Sequence, residues 1–170
     1  HNALQNDGQN DPQAMAKFRQ TVQTFLAGRQ GVFAAISKMK LDSWGLAGHI
    51  VKPGIPLGDY EGFEGTEASA LSVGNLFVER DFMLGYSAIA EGLKGLPHRL
   101  VGVNPTLEGV RQAEDWDELR SFYRSHRVYV NGTVEAFEDG YNLGMLEAMA
   151  TGMPVVSIAN ATSPIRDGEN

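Results

Sequence analysis

The chain has 170 residues, 42% hydrophobic and 21% charged, enough for the core of one ordinary domain or of one domain with part of another. Its 14 basic and 21 acidic residues give a net charge of -7 with no basic stripe, which argues against a nucleic-acid partner but not against a small phosphorylated ligand, for which one helix terminus and a cation suffice. The absence of cysteine excludes disulfide scaffolds, thiolate metal sites and cysteine nucleophiles; no apolar run approaches the ~20 residues of a membrane span, and with no signal peptide at the start a soluble, cytoplasmic protein is the expectation.

In chain order, Asp11 and Pro12 read as N-cap and first helical position, and Ala14, Phe18, Val22, Phe25 and Leu26 recur at helical spacing until Gly28. Val32 to Ile36 and His49 to Val51 read as short strands, the second ended by Pro53-Gly54. Residues 56–67, rich in glycine and acidic side chains, read as a loop or linker and mark a domain boundary. Beyond them the pattern alternates. Ala70 to Val73 is a strand, and Phe82 to Leu93 a helix with Leu84, Ala88 and Leu93 inward. Leu100 to Val103 is a strand, Asp115 to Ser125 a helix, and Val128 to Val130 a strand. Leu143 to Ala150 is a helix and Val155 to Ile158 a strand. Strands separated by helical segments imply crossover units, hence an α/β fold: a Rossmann-like parallel sheet with flanking helices. Such sheets bind ligands beyond the carboxyl ends of their strands.

The chemistry is concentrated in residues 138–156. A strand end and a turn containing Gly140 lead into a helix, which Gly152-Met153-Pro154 stops before a buried strand. Backbone N–H groups of Asn142, Leu143 and Gly144 at the helix start, with the positive end of its dipole, make an anion site. Glu147 lies one turn in, placed to accept from a diol such as a ribose, and Asp139 precedes the helix.

These residues resemble the E-x7-E signature of retaining glycosyltransferases with two Rossmann-like domains (the GT-B architecture). The most specific part is Glu-Ala-Met-Ala-x-Gly-x-Pro-Val-Val, here Glu147 to Val156. The resemblance implies that Glu147 binds the donor's ribose hydroxyls and that Asp139, standing where the family has Glu, faces the donor sugar and is the catalytic carboxylate. It implies too that Gly140, Tyr141, Asn142 and Leu143 hold sugar and diphosphate. The family's Gly-Arg-Leu-x-x-x-Lys stretch reads Gly74-Asn75-Leu76-Phe77-Val78-Glu79-Arg80. Arg80 keeps one of its two diphosphate-binding cations and Asn75 replaces the other. Residues 1–55 are then a remnant of an N-terminal domain with its linker, and residues 56–170 a nucleotide-sugar-binding domain, truncated at its end. The chain also lacks a starting Met, and both ends are expected to be cut.

The expected activity is transfer of a hexose from a nucleotide-diphosphate sugar to a hydroxyl acceptor, glycan or lipid, with retention, without metal or cofactor. The chain alone, short of an acceptor half, is expected to be inactive. The alternative is a noncatalytic nucleotide-sugar-binding or assembly module of the same fold. Exposed sheet edges lead to an expectation of homodimers. Trp44 and Trp116 read as core or interface anchors. Asn131-Gly132-Thr133 and Asn160-Ala161-Thr162 fit the glycosylation acceptor pattern, which is common by chance.

Overall fold

A computed structural model describes residues 12–137 and 141–166 of the chain. Residues 12–50 form helix α1 (Pro12–Ala27), strand β1 (Ala34–Ala35), helix α2 (Lys38–Trp44) and strand β2 (His49–Ile50), with β1 and β2 paired in parallel. The expected N-cap of α1, Asp11, lies outside the described residues. The strand read over Val32 to Ile36 pairs only at Ala34 and Ala35, because β2 offers just two residues to meet it. Helix α2 was not anticipated. It starts at Ser37, whose Oγ accepts from the Lys40 N–H at 3.2 Å, and ends at Gly45 with φ of 60°. Trp44 at its end packs, with tilted rings, against Phe18 of α1 and Phe33 at 5.4 and 5.3 Å between ring centres.

The second unit is a four-stranded, all-parallel sheet of β3 (Glu67–Val73), β4 (His98–Val101), β5 (His126–Asn131) and β6 (Val155–Ser157), in the order β4-β3-β5-β6. Helices α3 (Asp81–Leu84) and α4 (Tyr86–Gly92) connect β3 to β4. Helix α5 (Trp116–Ser125) precedes β5, and α6 (Leu143–Thr151) connects β5 to β6. The α/β expectation holds: each parallel pairing needs a helical crossover, and the sequence supplies one each time. The consecutive burial of Ala70, Leu71 and Ser72 in β3 is what a central strand covered on both faces requires. Leu71, Tyr123, Met145 and Ala148 are fully buried, and with Tyr60, Val101, Tyr129 and Met153 they form one core.

Two readings of this half are corrected. The helix expected from Phe82 to Leu93 is two helices, broken at Gly85, whose φ is 61°. The break rotates the inward face, so that Met83 and Ile89 are buried and Ala88 is exposed. The strand expected over Leu100 to Val103 runs instead from His98 to Val101, leaving Val103 half-exposed in the following loop. Trp116, at the first position of α5, is 61% exposed and anchors no core.

Strand order reverses between β3 and β5: the chain leaves β3 for β4 on one side and β5 for β6 on the other. The two carboxyl ends therefore part and leave a crevice. A contact between glycines shapes its floor. A Cβ on Gly85 would stand 2.1 Å from the Gly132 carbonyl oxygen, so only glycine lets the α3–α4 junction approach the end of β5 this closely.

Candidate functional site

The crevice is a cavity of about 210 Å³. β3 contributes Ser72 and Val73, and β5 with its exit contributes Tyr129 to Thr133. Phe77 and Arg80 line it from the segment after β3, Leu84 and Ile89 from α3 and α4, and Asn142 and Gly144 from the start of α6.

The start of α6 is built with care. Asn142 is its N-cap, with φ of -108° and ψ of 154°, and its Oδ1 accepts from the Met145 N–H at 2.8 Å. First-turn N–H groups of Leu143 and Gly144 have no acceptor within the helix and carry its positive end. Leu143 is 52% exposed beside them. Gly144 fits because a Cβ there would stand 2.6 Å from the Tyr129 hydroxyl, so the helix start lies directly on β5.

The segment after β3 is held just as firmly. Asn104 Nδ2 donates to the Gly74 carbonyl at 2.9 Å, and Asn104 Oδ1 accepts from the Phe77 N–H at 2.8 Å. Asn75 Oδ1 accepts from the Val103 N–H at 2.8 Å. Leu76 takes a left-handed φ of 58° between them. This clamp carries the chain round to Arg80, whose Nη2 also lies 3.8 Å from Met83 Sδ. Gly74 and Asn75 thus shape the loop that delivers Arg80 to the cavity, and the Asn75 carboxamide oxygen serves the backbone of the neighbouring loop.

Glu147 lies elsewhere. It is 8% exposed, on the face of α6 toward α5, and its carboxylate receives two phenol hydroxyls: Tyr60 at 3.1 Å on Oε1 and Tyr123 at 2.8 Å on Oε2. Burial, then the Glu147 charge, pushes the Tyr60 hydroxyl up to about 12. Tyr123 is raised well above its ordinary value, first by burial and then by Tyr129 and Glu147. Burial likewise raises Tyr129. All three stay protonated: Tyr60 and Tyr123 remain donors to the Glu147 carboxylate, and Tyr129 donates to the Val73 carbonyl at 3.4 Å. A diol reaching Glu147 would have to take the place of Tyr60, which belongs to the stretch read as a loop and is itself 6% exposed.

Tyr141 is half-buried; its hydroxyl donates to the Pro53 carbonyl at 3.3 Å, and Lys52 Nζ sits 5.5 Å from its ring centre. Asp139 and Gly140 lie outside the described residues. Of the residues singled out from sequence, Arg80, Asn142 and Gly144 meet at one cavity, whose lining includes neither Leu143, Gly74, Asn75 nor Glu147. Among the described residues no group of three or more His, Asp or Glu side chains is placed to hold a metal, and no helix is long and apolar enough to cross a membrane.

Sequence reasoning missed Asn131, Thr133 and Ser157, which support Asn142, and Tyr60 and Tyr123, which hold Glu147. Asn131 carried a signal, being a polar residue at the carboxyl end of a predicted strand. The asparagines of both glycosylation patterns are buried, Asn131 at 6% and Asn160 at 9% exposed, and hydrogen-bonded within the protein.

The family model for Glycosyl transferases group 1 matches residues 61–170. No curated protein and no solved structure matches the chain.

Proposed function

The chain belongs to the group 1 glycosyl transferases, and from that premise we propose that the switch-point cavity takes the diphosphate of a nucleotide-diphosphate sugar. The observation that carries this reading is the convergence of Arg80 with the first turn of α6 on one cavity at the carboxyl ends of β3 and β5. A guanidinium and the positive end of a helix at one cavity stabilise charge that grows on a departing diphosphate, an electrostatic contribution that needs no reorganisation at the moment of reaction. The transferred group is a hexose, passed with retention to a hydroxyl of a glycan or lipid acceptor. Asp139 orients the sugar, and Glu147 accepts from the ribose once Tyr60 yields its place. No metal or cofactor takes part.

The test is calorimetric titration with UDP, GDP and ADP, repeated on Arg80→Ala and Glu147→Ala. One nucleotide should bind, roughly tenfold or more weaker without Arg80. A folded chain that binds none of the three overturns the reading.

A second reading, a noncatalytic nucleotide-sugar-binding or assembly module, is favoured by two observations. Asn75 stands where the family supplies a cation and its side chain is engaged with Val103, and each oxygen of the Glu147 carboxylate already receives a tyrosine hydroxyl. Nucleotide binding without release of sugar from any donor, in the presence of acceptor alcohols, selects this reading.

A further inference from the structure

One buried polar residue beside the cavity has no part in the reading above. Asn131 is the last residue of β5, and its carboxamide lies between three segments. Its Oδ1 accepts from Asn142 Nδ2 at 2.7 Å, while its Nδ2 donates to Thr133 Oγ1 at 3.1 Å and to Ser157 Oγ at 2.9 Å. Ser157 Oγ in turn donates to the Ile158 carbonyl at 3.0 Å. With the Met145 N–H bonded to Asn142 Oδ1, these bonds run in one sense: Met145 N–H to Asn142, Asn142 to Asn131, Asn131 to Ser157, Ser157 to the Ile158 carbonyl. Hydrogen bonds aligned in this way polarise one another.

The direction matters for α6. A carboxamide has nearly the same shape when flipped, and only one orientation puts oxygen toward the Met145 N–H. Asn131 Oδ1 accepts from the other end of the Asn142 amide and so selects that orientation. Ser157, whose hydroxyl proton goes to the Ile158 carbonyl, can only accept from the Asn131 amide and so fixes its orientation, and Ser157 stands in β6. The N-cap of α6 is thereby registered against β5 and β6.

We propose that Asn131 is a positioning residue of the cavity: through Asn142 it aims the first-turn N–H groups of α6 at the ligand's diphosphate. This rests on the diphosphate reading of the cavity, which Asn131, Thr133 and Asn142 all line.

The test uses the full chain and whichever of UDP, GDP or ADP binds it, with inorganic pyrophosphate and the matching free nucleoside as competitors. Asn131→Ala should weaken the nucleoside diphosphate and pyrophosphate in parallel, by roughly tenfold, and change the nucleoside less than about twofold. Asn142→Ser keeps a capping hydroxyl but cuts the link to Asn131, and should show the same pattern. The double variant should lose no more than about twofold beyond the worse single, since both substitutions break one chain of bonds. The inference is overturned if Asn131→Ala binds pyrophosphate as the parent does, if nucleoside and pyrophosphate weaken equally, or if the two losses multiply. Should Asn131→Ala fail to fold, Asn142→Ser alone decides by the same pyrophosphate-to-nucleoside comparison. A parent chain that binds neither nucleotide nor pyrophosphate overturns the diphosphate reading and this inference together; a parent that binds, with unaffected variants, overturns only the inference.

Discussion

The Tyr60 hydroxyl donates to Glu147 Oε1 at 3.1 Å across 87 positions of chain, and so joins the loop before β3 to the middle of α6. Tyr123 fills the other carboxylate oxygen, and the negative charge is enclosed with two neutral donors. A buried charge that loses one of its donors keeps its full desolvation cost. Tyr60→Phe should therefore lower unfolding stability by about 1–3 kcal/mol, read from urea denaturation. If Glu147 receives a ribose, the same substitution removes its competitor, and nucleoside diphosphate affinity should rise while stability falls. A parallel fall of both sinks the ribose role of Glu147.

Three of the five tyrosines, Tyr60, Tyr123 and Tyr129, hold their protons more tightly in the folded state than in the unfolded chain, where 10 is the ordinary value. A raised folded value gives stability that is complete below the unfolded value and lost as pH climbs through the folded one. Denaturation midpoints should hold steady up to pH ~10 and fall between ~10 and ~12 as the unfolded chain ionises these phenols first. Tyrosinate absorbance during the same titration should show a late component that shrinks in Tyr60→Phe. If the phenols all ionise together near 10 in the folded chain, the enclosure of Glu147 is wrong.

Gly144→Ala drives a methyl group to 2.6 Å from the Tyr129 hydroxyl, at the turn of α6 that faces the cavity. The start of the helix must lift from β5, at a cost of about 1–3 kcal/mol. Nucleoside diphosphate binding should weaken with it. Adding Tyr129→Phe removes the obstructing oxygen, and both quantities should recover. Absence of recovery would mean that the helix start is not set by this contact.

Much of this arrangement was legible in the sequence. Each strand and helix of residues 67–157 has a counterpart at nearly the expected place, because strand and helix periods differ and Gly and Pro punctuate them. The segment around Glu147 was legible as a helix, and Arg80 lines the cavity at the strand ends. What escaped reading is tertiary. Gly85 looks like any glycine inside an apolar helical pattern, and only its contact with Gly132 shows why the helix breaks there. Tyr60 sits among polar and glycine residues and reads as loop, yet it is core because Glu147 needs a donor. α2 has too short an apolar period to stand out, and its cap and end glycine define it instead.

Gly85→Ala combines a left-handed φ of 61° with a methyl group 2.1 Å from the Gly132 oxygen. Conformation costs about 1–2 kcal/mol and crowding about 1–3 more, so a loss of roughly 2–5 kcal/mol is expected from denaturation curves. Gly92→Ala, in open space at the end of α4, should instead stabilise by about 0.4–1 kcal/mol. Equal effects at both positions would show that the Gly85–Gly132 contact is not made in solution.

The stretch between the two units touches α6 twice, through Tyr141 to the Pro53 carbonyl at the helix entry and through Tyr60 to Glu147 midway along it. Between these points Ile55 and Leu57 face Leu146 and Met149 across a small apolar hollow. The connection therefore behaves as a lever laid along the helix. A protease able to cut residues 53–60 becomes a gauge of the site, since whatever settles or loosens α6 changes how readily that stretch lifts away. Rates of cleavage with and without nucleotide would then report from the far end of the lever on events that involve no residue of the connection directly.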